Sequence, residues 1–285
     1  MPRPESNPGH WQERSDRARK LASDYPFARE VLHFYEHIAG AQKHIYGRVL
    51  SACGEEILRR PAGALRQELD LTVLLPEMRG FLGVVERHAP PALESAAREL
   101  AARGSRAWVE LLTAWWAEPA APARAETGTG VQGAQTAGEQ FCARAFLQPY
   151  AEFLAQHTEL PILEKTPDVC PLCGAEPQLG ALRPEGDGAS RSLVCSLCAT
   201  EWRYGRILCP ACGEASETNL AVYVTQELPQ VRVEACETCR GYIKTVDLTK
   251  DGHAVPIVDE LAAIPLDLWA REHSYTKLWP NLMGM

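Results

Sequence analysis

The sequence has no uninterrupted apolar run that approaches the roughly 20 residues needed to cross a bilayer. Its first 19 residues are polar and charged, and they lack the apolar segment of a signal peptide. Positive charge is also in short supply, with 29 Lys and Arg against 37 Asp and Glu among 285 residues. We therefore expect a cytoplasmic protein that does not insert into membranes. Non-specific nucleic-acid binding is disfavoured, because it needs cationic side chains to replace phosphate counterions.

The first 160 residues also lack a Gly-rich phosphate loop and a dinucleotide fingerprint, and they hold only two of the ten cysteines. These are Cys53 and Cys142, and neither has a companion at ligand spacing. Isolated cysteines of this kind are most often buried small hydrophobes, with a catalytic thiol as the alternative. The front of the chain therefore offers little evidence of chemistry of its own.

What the front of the chain does contain is helical periodicity. Apolar residues recur at steps of three and four over residues 27–50, which places them on one face of a helix. Similar patterns predict further helices after Pro76, from Pro91 to Gly104, from Ser105 and from Phe141. Residues 119–138 are rich in Ala, Gly, Pro and Thr, and we interpret them as a loop.

Two features of these helices allow a sharper interpretation. His33 and His37 fit the H-x-x-E-H pattern of a zinc peptidase, but no segment offers an obvious third ligand. We interpret them as a polar helix flank. Trp108, Trp115 and Trp116 recur at helical spacing and are expected in the core, with an exposed binding patch as the alternative.

The back of the chain is dense in cysteine. Four C-x-x-C pairs lie beyond residue 169: Cys170 and Cys173, Cys195 and Cys198, Cys209 and Cys212, Cys236 and Cys239. Two intervening residues let both sulfurs of a pair face one ion from a single tight turn. The first and third pairs continue into glycine, which can adopt the positive φ that turns backbone N–H groups toward sulfur. The eight cysteines are therefore predicted metal ligands.

Eight ligands make two four-cysteine sites. Twenty-one residues separate the first pair from the second and 23 separate the third from the fourth, whereas only ten separate the second from the third. The similar spans suggest an internal duplication in which consecutive pairs share an ion. Loop closure favours this pairing, although a cross-brace, or a site built from the second and third pairs, stays open.

Short alternating segments near the cysteine pairs predict strands over residues 201–204, 220–225, 231–233 and 241–248. The second and third of these are typical of a hairpin that leads into the fourth pair. Few of the segments form a sizeable core unaided, so the ions are expected to supply much of the folding energy.

The type of metal stays open at this point. Four thiolates suit both structural zinc and a rubredoxin-type iron that carries one electron. A redox dithiol is the weaker alternative, because four pairs at regular spacing suit ligation better. Nucleic-acid binding through Trp202, Arg203, Tyr204 and Arg206 is disfavoured, because residues 168–251 hold eight Lys and Arg against twelve Asp and Glu.

These observations predict an α+β multidomain protein, with an all-α helical N-terminal domain before a C-terminal pair of rubredoxin-like or zinc-ribbon metal-binding units. The predicted boundaries are 1–160 for the helical domain, 161–167 for a linker, 168–205 and 206–255 for the two four-cysteine units, and 256–285 for a tail that packs on the protein or on a client.

The arrangement resembles the FdhE family of formate dehydrogenase accessory proteins. The resemblance rests on the helical front, the two consecutive cysteine units and a tail of recognisable sequence. That tail reads Asp259-Glu260-Leu261-Ala262 and then Pro265-Leu266-Asp267-Leu268-Trp269-Ala270. The resemblance covers nearly the whole chain and is most specific over residues 168–285.

The resemblance implies a cytoplasmic assembly factor that contacts the catalytic subunit of a respiratory, molybdenum-dependent formate dehydrogenase before its export. The eight cysteines carry over to the family's metal knuckles, which favour two iron ions over zinc and are associated with a proposed redox role. No catalytic residue carries over, so the protein is not expected to be an enzyme. An electron-transfer protein or, less favoured, a nucleic-acid-binding ribbon protein are the competing functions.

Overall fold

A computed structural model describes residues 9–53, 65–67, 69–117, 136–161 and 166–285. The front of the chain forms helices and the back forms a sheet, which confirms the predicted α+β class. The helices are α1 Gly9–Asp24, α2 Arg29–Cys53, α3 Leu71–His88, α4 Pro91–Ala117 and α5 Ala137–Gln156. Within the described ranges, no helix is long and apolar enough to cross a membrane.

Local sequence explains where these helices begin and break. The Asp70 side chain accepts a hydrogen bond from the backbone N–H of Thr72 and starts α3, so this helix begins before Pro76 rather than after it. Gly104 takes a φ of +77° inside α4, which confirms the predicted interruption there.

The start of α5 corrects one prediction. Thr136 and Glu139 form a capping box that opens the helix at Ala137, so residues 137–138 are helical and not part of a loop. Residues 118–135, the greater part of the predicted loop, lie outside the described residues, as do residues 162–165 of the predicted linker.

The back of the chain forms one seven-stranded sheet. Its strands are β1 Pro177–Glu185, β2 Gly188–Cys195, β3 Glu201–Arg203, β4 Leu220–Val224, β5 Val231–Cys236, β6 Gly241–Asp247 and β7 Thr276–Lys277. The strand order is β3-β2-β1-β6-β5-β4, with β7 paired to β6. The β4–β5 hairpin confirms the predicted one, whereas the longer β1–β2 hairpin was not predicted from the sequence.

The sheet consists of two similar halves. In each half a cysteine pair precedes an antiparallel hairpin, a second pair follows it, and a third strand completes a meander. The halves are β1-β2-β3 and β4-β5-β6, and they join where β1 runs parallel to β6. This repetition is the structural form of the duplication that the cysteine spans suggest.

The last residues form α6 Pro256–Ala262, α7 Ile264–Glu272 and the short β7. Apolar side chains of α7 and its neighbours pack on one face of the second half of the sheet. The set includes Val231, Val233, Ala235, Tyr242, Val246, Ala263, Leu266 and Ala270. The ribbon half of the chain therefore does have a hydrophobic core, because the tail and the helices contribute apolar side chains to it.

The tail is held by buried charges. Lys244 of β6 pairs with Glu260 at 2.9 Å and with Asp267 at 2.5 Å, all three side chains being fully or almost fully buried. Burial acts against the charge on Lys244, but the two carboxylates outweigh it and raise its pKa. Arg17 of α1 pairs in the same manner with Asp259 at 2.5 Å. The tail thus links the first helix to the sheet.

Candidate metal centres

The first candidate centre contains Cys170, Cys173, Cys195 and Cys198, whose sulfur atoms all lie within 4.8 Å of one another. All four side chains are buried. The Sγ atoms of Cys173 and Cys195 are 3.3 Å apart, and those of Cys170 and Cys198 are 3.6 Å apart. The structure therefore brings together the first and second pairs, as consecutive pairing predicts.

The second candidate centre contains Cys209, Cys212, Cys236 and Cys239, again within 4.8 Å of one another. The sulfur of Cys209 lies 3.7 Å from that of Cys239, and the sulfur of Cys212 lies 3.6 Å from that of Cys236. Here Cys212 is exposed and Cys239 is partly exposed. The third and fourth pairs thus share a site that is more open to solvent than the first.

The same backbone turn recurs at each pair. The residue after the second cysteine has a positive φ in all four cases: Gly174 at +72°, Ala199 at +52°, Gly213 at +74° and Arg240 at +55°. The turn directs backbone N–H groups at sulfur, as where Leu197 donates to the Sγ atom of Cys195 at 3.3 Å. Glycine in the sequence therefore predicted two of these turns. The other two turns place non-glycine residues in the same positive-φ region, which is strained for residues with a side chain.

These donor sets fit a tetrahedral ion. Four sulfurs placed about 2.3 Å from a central zinc define a tetrahedron with edges of about 3.8 Å, close to the separations of 3.3 to 3.7 Å in the two groups. Burial raises the pKa of Cys195, so thiolates in the first site need a cation to compensate their charge. Each group of four could hold one metal ion, two in all.

Helix α5 contacts the first site directly. Gln148 and Arg144 both donate to the carbonyl oxygen of Ser196, which lies between two of the ligands. Arg144 also donates to the carbonyl oxygens of Pro280 and Asn281 and to the amide oxygen of Gln178. These acceptors, all among the described residues, are neutral, and burial lowers the pKa of Arg144 to about 10. A buried guanidinium beside four thiolates is a ready counter-charge for a loaded site.

The second site is braced by one carboxylate rather than by the helices. Glu214 follows the third cysteine pair, and its carbonyl oxygen accepts from the backbone N–H of Cys209 at 2.9 Å. Its carboxylate accepts from Thr238, between the two ligands of the fourth pair, and from Asn219 at 3.0 Å. Hydrogen bonds from Thr238, Ser216 and Asn219 lower the pKa of Glu214 to about 2. Glu214 therefore ties the two halves of this site together.

The other candidates from the sequence lie apart from both centres. Burial raises the pKa of Cys142 to about 12, which suits a small hydrophobe rather than a nucleophile. Cys53 is exposed at the end of α2. His33 is exposed on the same helix, and the ring of His37 stacks on His88 at 3.6 Å. Within the described ranges the two groups of four cysteines are the metal-ligand clusters found.

The aromatic residues of both alternative patches are largely internal. Trp108 and Trp116 are buried in the helical core, as expected for their spacing. Trp202 is buried and donates to the carbonyl oxygen of Pro167, and Tyr204 is buried and donates to Asp168. Rings enclosed in this way do not offer bases a stacking platform.

Sequence reasoning missed Arg144, Glu214 and the charged tail residues. Arg144 and Glu214 lie in no motif, and their roles depend on contacts between distant segments. For the tail, the sequence does contain a clue, because Asp259, Glu260 and Asp267 are charged residues set within an apolar stretch. Charged residues in a stretch that becomes buried need partners of opposite charge, because charged side chains are almost never fully buried unless they are paired.

Comparisons with known proteins agree with this architecture. The domain description "FdhE, central domain" matches residues 169–206, and "FdhE, C-terminal domain" matches residues 207–283. An FdhE homolog of Aquifex aeolicus is 27% identical over 274 residues, which are 93% of this chain and 92% of that protein. One from Pseudomonas aeruginosa is 38% identical over 122 residues, 40% of this chain and 39% of that protein.

A solved structure extends the likeness to the whole fold. The crystal structure of the FdhE protein from Pseudomonas aeruginosa superposes with a TM-score of 0.70 at 25% sequence identity, and the match covers 97% of this chain and 96% of that chain. The likeness includes the helical half, where sequence resemblance was loose. The domain matches, the full-length relative and the fold together support assignment of the chain to the FdhE family.

Proposed function

We propose that the protein is a cytoplasmic assembly factor required for maturation of a respiratory formate dehydrogenase, and that it contacts the catalytic subunit of that enzyme. The observation that carries this proposal is family membership over nearly the whole chain. The packing supports it, because helices, sheet and tail share one apolar cluster and therefore present their surfaces as a single body.

The metal ligands in this proposal are Cys170, Cys173, Cys195 and Cys198 in one centre and Cys209, Cys212, Cys236 and Cys239 in the other. Iron is the favoured ion and zinc the alternative. An iron held by four cysteines would supply one-electron chemistry, whereas zinc would supply rigidity alone. The protein's own residues enclose the first site and leave the second in contact with solvent, so a redox role toward the client would use the second.

The protein is proposed to act without a catalytic residue of its own. Its ionisable groups with strongly shifted pKa values serve structure, as Glu260 and Lys244 do in the tail. Its contribution to the client would be binding, with the metal centres holding the ribbon half in shape or passing an electron.

Deletion of the gene tests this proposal. Formate dehydrogenase activity should be lost while the transcript of the catalytic subunit stays at its normal level, and the full-length protein expressed from a plasmid should restore activity. A matched plasmid with Cys170→Ser and Cys209→Ser, which removes one ligand from each site, should fail to restore it. Normal formate dehydrogenase activity in the deletion strain would contradict the proposal.

A binding experiment tests the proposed partner separately. Affinity-tagged protein should retain the catalytic subunit from a cell extract, and purified catalytic subunit should bind directly. An unrelated cytoplasmic enzyme of similar size serves as the control. Absence of direct binding would remove the catalytic subunit as the partner, even if the deletion lowered activity.

A further inference from the structure

The second half of the sheet has one face covered by α7 and an opposite face that is exposed along β4. Side chains alternate between faces along each strand. One set, which includes Val233 and Ala235 of β5, packs beneath α7. The opposite set includes Val222 of β4, which pairs with Glu234, and Val224, which pairs with Arg232. On this opposite face Val222 is 52% exposed and Val224 is 69% exposed.

Among the described residues, strand β4 is also a free edge of the sheet. It ends the strand order and pairs on one side only, with β5. Its sequence, Leu-Ala-Val-Tyr-Val, contains no charge and no proline. Proteins ordinarily protect a free edge with lysine, proline or a bulge, because an unprotected edge pairs with any extended chain. An edge left in this state is suited to accept a strand from a partner.

A cleft lies beside this edge on the open face. Its volume is about 400 Å³, within the range of pockets that hold peptide side chains or small ligands. Its lining includes Leu220 and Val222 of β4, Ile243 of β6 and residues 206–210. Ile207, one of these lining residues, is 43% exposed. The cleft thus joins apolar surface to the free edge.

The charged residues of the cleft favour an anionic group. Arg191 donates to Glu234 at 2.8 Å and Arg232 donates to the same carboxylate at 3.0 Å, so two guanidinium groups share one acid. Arg206 adds a third cation at the exposed rim, where it donates to the carbonyl oxygen of Ala189. Glu217 is the other acid in the lining. Three arginines against two glutamates leave these side chains of the lining with an excess of one positive charge, although the net charge of the chain is −8.

We propose that β4 and this cleft form the docking surface for an extended, acidic segment of a partner protein. The segment would add to the sheet as a strand beside β4, place apolar side chains over Val222 and Val224, and direct a carboxylate toward Arg206 and Arg232. A second copy of this chain is a poorer occupant, because pairing of two β4 edges would bring two positive clefts together. This inference rests on the proposed function, which makes the catalytic subunit the partner.

The direct test blocks the edge without disturbing the core. In V222K/V224K two exposed apolar side chains become lysines, which protect natural edges from pairing. F27K/L268K is the matched control, because Phe27 and Leu268 are also exposed, at 51% and 53%, and lie elsewhere on the surface. Both variants should keep the wild-type unfolding temperature and metal content. We expect V222K/V224K to bind purified catalytic subunit at least about tenfold more weakly, and the control to bind within about twofold of wild type.

A second pair of variants tests the charge. R206E reverses the rim cation, and R106E makes the same change in net charge at a residue of α4 whose side chain is 93% exposed. We expect R206E to weaken binding about fivefold at low salt, with the difference shrinking as salt rises. R106E should have no effect. Equal effects of the two variants would show a general charge effect and overturn the assigned role of Arg206.

The outcomes separate this inference from the proposal beneath it. If wild-type protein fails to bind the catalytic subunit, both the proposed function and this docking surface fail. If wild type binds and V222K/V224K binds equally well, the docking surface alone is overturned. If the wild type forms a dimer in sedimentation that V222K/V224K abolishes, the edge belongs to a second copy of the chain, which also overturns the assignment.

Discussion

The two four-cysteine sites share their local backbone and differ in their surroundings. Each pair uses the same turn with a positive φ after the second cysteine. All four cysteines of the first site are buried, and this site lies against α5. In the second site Cys212 is exposed, and hydrogen bonds to Glu214 hold the site together. Short-range sequence thus determines the form of a metal knuckle, and tertiary packing determines how far solvent and partners can reach it.

Because of this difference, we expect the two sites to have unequal tasks. The first site joins the apolar cluster that also contains the helices, so its cysteines belong to the shared core. The second lies beside the open face and the free β4 edge. Two similar units therefore each contain a group of four cysteines, with one group enclosed in the core and the other open at the surface.

The largest expected difference between the two sites is the loss of stability when one cysteine is replaced in each of them. Cys195→Ser leaves a metal-binding group incomplete inside the core, and we expect it to lower the free energy of unfolding by more than about 4 kcal/mol. Cys212→Ser should cost less, because this ligand is exposed at the surface. Urea unfolding followed by helical circular dichroism measures both. Equal losses from the two variants would contradict the division between the sites.

A buried charge supports both units alike. Glu260 is fully buried between Lys244 and Lys277, and Glu260→Gln should cost about 3–5 kcal/mol because it leaves two buried cations to share the single carboxylate of Asp267. Both metal sites should then release their ions more readily, whereas replacement of one cysteine should affect its own site only. Metal release from each site during urea unfolding gives the readout, and an effect confined to one unit would disprove shared support.

The same residue predicts a pH dependence. Burial acts against the charge of Glu260, but Lys244 and Lys277 outweigh it and lower its pKa from 4.5 to about 2. The folded pKa lies below the unfolded one, so the stabilisation is fully present above about pH 4.5 and is lost as pH falls toward 2. The stability difference between wild type and Glu260→Gln should therefore shrink over that window. A constant difference down to pH 2 would show that its charge is not what matters.

A chelator should remove the ions from the two sites at different rates. The exposed second site should lose its ion at least about tenfold faster than the first, which corresponds to a barrier lower by ~1.4 kcal/mol. Metal release to a coloured chelator should then follow two phases of equal size. In Cys212→Ser the fast phase should be missing, and a single phase in the wild type would argue against unequal access.

The smallest effect is expected from the cation beside the first site. Arg144→Gln keeps a hydrogen-bonding side chain and removes the positive charge, so we expect about threefold weaker metal binding at the first site, ~0.7 kcal/mol. In an iron-loaded protein the reduction potential of that site should fall, because a nearby cation favours the more negative, reduced form. Arg106→Gln on the surface is the control. An unchanged potential would rule out a counter-charge role for Arg144.

The sequence was most informative where structure is local. Spacing of cysteines identified the two groups of four that the structure brings together, and alternation identified the β4–β5 hairpin and the strand at residues 241–248. The β1–β2 hairpin was missed although Gly186-Asp187-Gly188 is a recognisable turn sequence between its strands. Helix α1 was missed as well, because its polar sequence gives a weak apolar pattern.

Long-range contacts could not be predicted in the same way. Arg17 and Asp259 are 242 residues apart and meet in one buried ion pair. Arg144 reaches the first site only because α5 packs on the turn at Ser196. Asp259 is recognisable as a charge within an apolar stretch, but nothing in the sequence indicates Arg17 as its partner or brings Arg144 to the first site, because each contact depends on how two complete elements pack.

The metal content of anaerobically purified protein, before and after chelation, is the decisive measurement. Each group of four cysteines is expected to hold one ion, the first enclosed and the second accessible. Elemental analysis should give about two metal ions per chain, iron under the favoured proposal, and about one after brief exposure to a chelator. Protein that contains no metal, or that loses both ions at the same rate, would contradict two unequal metal centres.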